Sequence, residues 1–170
     1  MQGRCIGCIR KSYSPPSTPR APRKQMEEKD RLDQITRRII GAAIEVHQLL
    51  GPGLLESAYQ TCLAFELRQR GVKVEEQRPL PFVYKDVHLD CGYRMDLLVE
   101  NEIVVEIKAL EQFAPIHEAQ LLLYLRLSGN RVGLLINFHV RVLKNGLKRI
   151  VNEFPDSATS ATSARSAVSS

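Results

Sequence analysis

The sequence predicts a mixed α/β fold in which a central mixed sheet is flanked by helices. Three observations predict it: two successive segments with apolar residues at helical spacing, three extended segments after them, and a further helix followed by a short, wholly apolar run. The predicted order is therefore α-α-β-β-β-α-β, and we expect the chain to close the domain with a small hairpin. No internal repeat is present.

Two helices are predicted first, over residues 33–50 and about 54–70. Asp33 is the expected N-cap of the first helix, because its short side chain can accept a hydrogen bond from a free backbone N–H. Glycine and proline at 51–53 interrupt the helical pattern, and Gly71 ends the second helix.

Strands and a third helix make up the remainder. Extended segments are predicted at about 73–83, 87–99 and 102–108, with Lys85-Asp86 as the first turn. A helix then runs from Pro115 to Leu127 and is followed by the apolar strand Val132–Asn137. The stretch 140–151 is predicted to form a hairpin that turns at Lys144-Asn145-Gly146.

The 170 residues are enough for one domain with two tails. Residues 1–25 are predicted to be a disordered basic tail and 155–170 a disordered Ser/Ala/Thr tail, which leaves 26–154 as the folded domain. Acidic residues and helix formers begin at Met26, so one hypothesis is that Met26 is the biological start; the sequence does not decide between Met1 and Met26.

The formal net charge of +5 belongs to a tail rather than to the domain. Residues 1–24 contain six Lys/Arg and no acid, whereas residues 25–154 contain 17 Lys/Arg and 18 Asp/Glu. We therefore expect any binding of phosphate by the domain to be local rather than a general electrostatic attraction.

The four cysteines do not form a disulfide framework in a chain of this size. Cys5 and Cys8 have the spacing of half a zinc site, but no second pair follows. The sequence has neither a run of about 20 apolar residues nor the apolar stretch of a signal peptide. A cytoplasmic location with reduced thiols and no membrane partner is the expectation.

Two carboxylates and a lysine are predicted to meet on paired strands: Asp96, Glu106 and Lys108. Side chains alternate along a strand, so Glu106 and Lys108 share a face. A three-residue turn at 100–102 would place Asp96 opposite Glu106 and gather the apolar residues on the other face, whereas a two-residue turn would place Asp96 among hydrophobes. The apolar pattern favours the first register. An ordinary hairpin with a solvated charged face is the alternative.

Several local motifs occur in order along the chain. They are the Gly53-x-x-Glu56-x-x-Tyr59 motif and the segments IIGAAIEVHQLLG, GYRMDLLVE, VEIKAL, HEAQLLLYL and VGLLINF. With these motifs the chain resembles the GxxExxY protein family, over about residues 33–152. That family is grouped in the PD-(D/E)xK nuclease superfamily, so the resemblance implies a restriction-endonuclease-like α-β-β-β-α-β core.

The resemblance also implies roles for particular residues. Asp96 and Glu106 correspond to metal ligands, Lys108 to the catalytic lysine, Glu56 to an accessory acid on the helix, and Gln120 to a polar residue that positions the site or the substrate. Met95 stands where the superfamily signature has a proline. The expected ion is Mg²⁺ or Mn²⁺, with the main-chain carbonyl of Ile107 as a third ligand.

Other polar residues keep two interpretations. Tyr59 shares a helix face with Glu56 and would contact that acid or a substrate phosphate, unless it is a core tyrosine. Gln120 faces the site or is satisfied by backbone. His117 lies one turn before Gln120 and would assist the site or have no catalytic part. His47 is expected to be structural, and the two remaining histidines, His88 and His139, to lie on the surface.

The predicted function is that of a metal-dependent phosphodiesterase acting on DNA or RNA. The alternative is a catalytically silent nuclease-like fold that binds nucleic acid or a protein. No Gly-rich phosphate loop or G-x-S-x-G elbow points to another enzyme class. Nucleic acid is the expected partner, and a homodimer that cuts two strands is compatible with so small a domain. The sequence does not distinguish DNA from RNA as the substrate, or endonuclease from exonuclease action.

Overall fold

The helices of the domain begin and end close to where the sequence places them, with one exception. The structure is a computed structural model that describes residues 23–89 and 92–152. Its helices are α1 (Arg23–Leu50), α2 (Glu56–Gln69) and α3 (Pro115–Ser128). The predictions for the second and third helices are confirmed to within two residues at each end.

Helix α1 begins ten residues earlier than predicted, so the prediction of Asp33 as an N-cap is wrong. Asp33 lies inside the helix and pairs with Arg149 at 3.0 Å. The preceding residues are mostly Lys, Arg, Glu and Gln, which have high helix propensity, and Arg31 pairs with Glu102 at 2.9 Å. Residues 23–25, which the sequence assigned to the tail, are therefore helical. The rest of both predicted tails, and Cys5, Cys8 and Cys91, lie outside the described residues.

In the described part of the chain, five strands form one mixed sheet in the order β1-β4-β5-β6-β7, and two form a separate hairpin, β2-β3. The strands are β1 (Val74–Pro79), β2 (Phe82–Tyr84), β3 (Val87–Leu89), β4 (Arg94–Val99), β5 (Ile103–Lys108), β6 (Val132–Asn137) and β7 (Leu147–Val151). Strands β5 and β6 are parallel, and the other neighbours are antiparallel. The predicted mixed sheet flanked by helices is therefore confirmed.

Two of the predicted extended segments are each divided between the two sheets. Segment 73–83 contains β1 and β2, because the prolines at 79 and 81 have no N–H with which to continue the ladder. Segment 87–99 contains β3 and β4. The turn predicted at Lys85-Asp86 is confirmed, with φ values of 47° and 65°.

The hairpin predicted over residues 140–151 is wrong. Residues Leu143–Gly146 form a 3₁₀ turn, and the strand after it, β7, pairs antiparallel with β6. Strand β6 is buried along its whole length, so its second edge needs a partner for its backbone groups, and β7 supplies it.

The sheet separates two apolar layers. Helices α1 and α2 pack on one face, and α3 packs on the other with Leu121, Tyr124 and Leu125. Among the described residues, no helix combines the length and the apolar character needed to cross a membrane. The sheet is therefore covered by helices on both faces.

Candidate active site

The site lies at the end of the sheet where β5 and β6 finish and β4 begins. Leu97 pairs with Val105, and Val99 with Ile103, so the three-residue connection at 100–102 sets the register that the apolar pattern predicts. Residues of one face join the core under α1 and α2, as expected: Leu97, Val99, Ile103, Val105 and Ile107. Extended by one residue, the same register places Asp96 beside Glu106.

Asp96 occupies a gap between β4 and β5. The last paired residues on this side are Leu97 and Val105, and beyond them the Asp96 Oδ2 atom accepts a hydrogen bond from the Ile107 N–H at 2.8 Å. The carboxylate therefore replaces a strand partner at this position. The N–H and C=O groups of one strand residue point to the same edge, so the Ile107 carbonyl oxygen faces the same gap.

Glu106 and Lys108 lie on one face of β5, as predicted. Lys108 Nζ donates a hydrogen bond to Glu106 Oε1 at 2.8 Å. The Glu106 side chain is 3 % exposed and that of Lys108 is 13 % exposed. The other Glu106 oxygen, Oε2, is buried and has no hydrogen-bond partner in the described part of the chain.

Burial has the largest effect on the pKa of both carboxyl groups, Asp96 and Glu106. It raises the pKa of Glu106 to about 7, and the nearby charges of Asp96 and Glu56 raise it too, against the effect of the Lys108 ammonium. Burial also raises the pKa of Asp96, although the hydrogen bond from Ile107 N–H and the Lys108 charge act to lower it. The cluster thus favours a cation or a proton beside Glu106.

Lys108 keeps its charge in this setting. Burial acts to lower the pKa of its ammonium, but the hydrogen bond to Glu106 and the charges of Glu106, Glu56 and Asp96 outweigh burial, so the pKa is raised. The lysine is therefore a cation at neutral pH and can offset negative charge, but it cannot accept a proton there.

Helix α2 brings Glu56 to the same end of the sheet. Glu56 is the first residue of α2, and its Oε1 atom accepts a hydrogen bond from the Ala109 N–H at 3.0 Å, one residue after β5. A carboxylate is favourable in the first turn because the helix dipole is positive there. Glu56 is exposed, and its charge acts on Asp96, Glu106 and Lys108.

Helix α3 contributes Gln120 and Tyr124 on the other side. Gln120 Nε2 donates a hydrogen bond to the Tyr124 hydroxyl at 2.8 Å. Burial and the charges of Glu106 and Asp96 raise the pKa of Tyr124, against the Gln120 hydrogen bond. The Gln120 amide is therefore bonded to a hydroxyl that the charges of both carboxylates influence.

The structure places Tyr59 in the core and not at the site. Its ring is 0 % exposed and stacks on Phe138 with 4.4 Å between centroids. Its hydroxyl donates to the Gly51 carbonyl at 2.6 Å and accepts from the Leu54 N–H at 3.1 Å. Of the two interpretations that the sequence left open, the core tyrosine matches this geometry, and the hydroxyl binds the loop before α2.

The three histidine side chains that the structure describes have structural or surface positions. His47 is 8 % exposed, and its Nε2 atom is 2.7 Å from the Val140 carbonyl oxygen. His117 Nδ1 accepts a hydrogen bond from the Ala114 N–H at 3.0 Å, which caps the start of α3. His139 is exposed, whereas the His88 side chain is outside what the structure describes.

Three amide side chains at the site were not found from the sequence: Gln60, Gln77 and Asn137. Gln77 Nε2 donates to Gln60 Oε1 at 2.7 Å and to Asp96 Oδ1 at 3.3 Å. Asn137 is 1 % exposed and makes two hydrogen bonds with the backbone of Leu110, at 2.7 and 3.1 Å. A buried Asn ending an apolar strand was the only available signal for Asn137.

The arrangement fits a divalent cation that would be held by Asp96, Glu106 and the Ile107 carbonyl. The fit rests on the buried, unpartnered Oε2 atom of Glu106, because a buried carboxylate oxygen without a donor is a costly feature that a cation would relieve. Within the described residues, no three His, Cys, Asp or Glu side chains are grouped to hold an ion. A site here would therefore need the main-chain oxygen as well as the two acids.

The mixed sheet and its acid–lysine cluster define a nuclease-like α/β domain. The family model for the PD-(D/E)XK nuclease superfamily matches residues 33–150, and the chain belongs to this superfamily. The restriction-endonuclease-like fold expected from the sequence is the observed fold. Nucleases of this superfamily generally use divalent metals. No curated protein and no solved structure matches the chain.

Proposed function

We propose that the domain is a metal-dependent phosphodiesterase that cleaves DNA or RNA. The observation that carries the proposal is Glu106: its Oε1 atom pairs with Lys108, while its buried Oε2 atom has no donor in the described part of the chain. With Asp96 one strand away, this is a place for a cation next to a fixed ammonium group. On an ordinary solvated hairpin face Glu106 would be exposed, whereas here it is buried.

Asp96, Glu106 and the Ile107 carbonyl are the proposed ligands of Mg²⁺ or Mn²⁺. When bound, such an ion polarises a phosphate oxygen and lowers the pKa of a water molecule. Asp96 and Glu106 supply the negative charge that retains the ion, and the hydrogen bond from Ile107 N–H keeps the Asp96 carboxylate in place.

Lys108 is the proposed group that offsets charge on the phosphate during cleavage. Its side chain is 13 % exposed and its ammonium stays protonated at neutral pH, so it can donate hydrogen bonds to a phosphate oxygen or to the attacking water. Glu56 holds the backbone just after Lys108 through Ala109 N–H. Gln120 and Tyr124 line the opposite side and are the proposed polar contacts to substrate or water.

The narrower membership of the GxxExxY family is also a proposal, which rests on the ordered motifs of residues 33–152. The same applies to a homodimer, which would bring two sites to the two strands of a duplex. Both go beyond the superfamily membership.

The test is cleavage of single- and double-stranded DNA and RNA by the full chain, with Mg²⁺, with Mn²⁺ and with a chelator. We expect cleavage that depends on the metal and falls at least 100-fold in both Asp96→Asn and Lys108→Ala, because each removes a group that acts in the transition state. Chemical unfolding of each variant checks that the loss does not arise from instability.

A matched control is Lys144→Ala, which removes an exposed lysine from the turn before β7. Its cleavage rate should lie within about threefold of the wild-type rate, because salt screens the interactions of a single exposed charge. Wild-type rates in both Asp96→Asn and Lys108→Ala would refute the proposed site. Nucleic-acid binding without cleavage by any form would favour the silent binding module.

A further inference from the structure

Gln77 has an unusual backbone for a residue inside a strand. Its φ is +50°, in the left-handed region that non-glycine residues rarely adopt, although it lies in the middle of β1. The ladder between β1 and β4 pairs Glu76 with Leu97 and Arg78 with Met95, and Gln77 and Asp96 lie between these pairs. The strain therefore occurs directly opposite the site aspartate.

The inward side chains of strand β4 switch from one face of the sheet to the other at the same point. Met95 packs in the layer under α3, whereas Leu97, two residues later, packs in the layer under α1 and α2. Regular alternation would put both on one face. Asp96 is thus the residue at which β4 turns, and its carboxylate enters the gap beside β5.

Both oxygens of Asp96 have hydrogen-bond donors. Oδ2 accepts from Ile107 N–H at 2.8 Å, and Oδ1 accepts from Gln77 Nε2 at 3.3 Å. Gln77 Nε2 also donates to Gln60 Oε1 at 2.7 Å, and Gln60 on α2 is only 9 % exposed. A buried amide therefore orients Gln77, and Gln77 orients the carboxylate.

One face of helix α2 bonds both the end of β5 and Gln77 of β1, which lies opposite Asp96. Glu56 and Gln60 are four residues apart, so they point the same way. Glu56 holds the end of β5 through Ala109 N–H, and Gln60 holds Gln77 opposite β4. These two polar residues therefore link the helix to the site, Glu56 from an exposed position and Gln60 from a buried one.

We infer that Gln77, oriented by Gln60, is a positioning residue that fixes the Asp96 carboxylate for cation binding. Its function in catalysis rests on the proposed metal-dependent cleavage, while its hold on Asp96 does not. A neutral amide suits the position, since it donates to a carboxylate without competing as a cation. Removal of a residue that orients a metal ligand typically lowers metal affinity or activity by about 10- to 100-fold.

The deciding variant is Gln77→Asn. Asparagine tolerates a positive φ better than most residues, so the backbone is retained, but its side chain is one methylene shorter and cannot make both contacts. The control is Gln69→Asn, the same change at an exposed glutamine at the end of α2. Gln60→Leu removes the acceptor that orients Gln77.

Three quantities would be measured on the full chain: the dissociation constant of Mn²⁺, hydrogen exchange of the Ile107 amide, and kcat with KM for cleavage. In Gln77→Asn we expect Mn²⁺ to bind 10- to 100-fold more weakly, Ile107 N–H to exchange at least tenfold faster than in wild type, and kcat to fall with KM little changed. Gln69→Asn should match wild type in all three.

Gln60→Leu should change the same quantities in the same direction, and adding it to Gln77→Asn should cause little further loss, because Gln60 acts through Gln77. If Ile107 exchange and Mn²⁺ affinity were unchanged in Gln77→Asn, the inference would be overturned. Metal-dependent cleavage by the wild type would in that case still support the proposed nuclease function. A wild type that neither binds Mn²⁺ nor cleaves would refute the proposed function and the catalytic part of the inference, and Ile107 exchange would then decide whether Gln77 holds Asp96.

Discussion

At the residue scale, Glu106 combines deep burial with incomplete hydrogen bonding. Its side chain is 3 % exposed, and Oε2 has no donor among the described residues. An unpaired buried acceptor costs about 1–3 kcal/mol, and more when it is charged. The superfamily to which the chain belongs generally uses divalent metals, which gives a reason for keeping a carboxylate that destabilises the fold without an ion.

A substitution of Tyr59 tests, at the residue scale, whether its hydroxyl stabilises the core or binds substrate. Tyr59→Phe removes the hydrogen bonds with the Gly51 carbonyl and the Leu54 N–H but keeps the stacking on Phe138. We expect a loss of about 1 kcal/mol in the free energy of unfolding. Cleavage by the folded variant should stay within about twofold of wild type. A 100-fold loss of kcat in a folded variant would instead assign the hydroxyl to the substrate.

At the element scale, β6 and the turn before β7 hold the segment that follows Lys108. The buried Asn137 bonds twice to the backbone of Leu110, and Phe138 N–H donates to the Lys108 carbonyl at 2.8 Å. Gly146 packs directly on this region, because a Cβ atom there would overlap the Asn137 carbonyl oxygen. Position 146 therefore requires glycine for close approach of two backbones.

Gly146→Ala tests this packing. We expect it to lower the free energy of unfolding by about 3 kcal/mol, because a backbone oxygen cannot move aside as a side chain can. The control is Gly41→Ala in α1, where the new Cβ would meet only the end of the Arg70 side chain, at 3.3 Å. There, alanine should be neutral or stabilising by up to about 1 kcal/mol. Equal losses at the two positions, measured by chemical denaturation, would contradict the packing argument.

At the scale of the whole molecule, stability without metal should depend on pH through the buried acids. The folded protein keeps the Glu106 proton up to about pH 7, whereas the unfolded chain releases it near 4.5. Folding therefore binds a proton between these values, so the free energy of unfolding falls as pH rises from about 5 to 8. The expected loss is at most about 3 kcal/mol, and the raised pKa of Asp96 acts in the same direction.

Denaturant unfolding at pH 5, 6, 7 and 8 in chelator would measure this dependence. In Glu106→Gln the decline should be much smaller, because the neutral amide does not titrate. Mn²⁺ should stabilise the wild type more at pH 8 than at pH 6, since the ion competes with the proton. A wild type and a Glu106→Gln variant with parallel pH profiles would show that Glu106 titrates normally.

Sequence alone determined the features that depend on local periodicity. The order of helices and main strands follows from apolar spacing, and the β4–β5 register follows because a shift by one residue would turn an apolar stripe to the wrong face. That register was enough to place Asp96 beside Glu106 and Lys108. The start of α1 was missed, because ion pairs such as Arg31–Glu102 stabilise a polar segment that has no apolar pattern of its own.

Only the tertiary structure decided which polar side chains meet. Gln77 lies 17 residues from Gln60 and 19 from Asp96, and Asn137 lies 27 from Leu110. No periodicity encodes such pairs, since they arise where two strands part and a helix end approaches. Tyr59 illustrates the same limit: its spacing from Glu56 is compatible with a shared site, but packing against Phe138 directs its hydroxyl to the loop before α2. Local pattern determines the elements, and long-range packing determines which of their side chains come together.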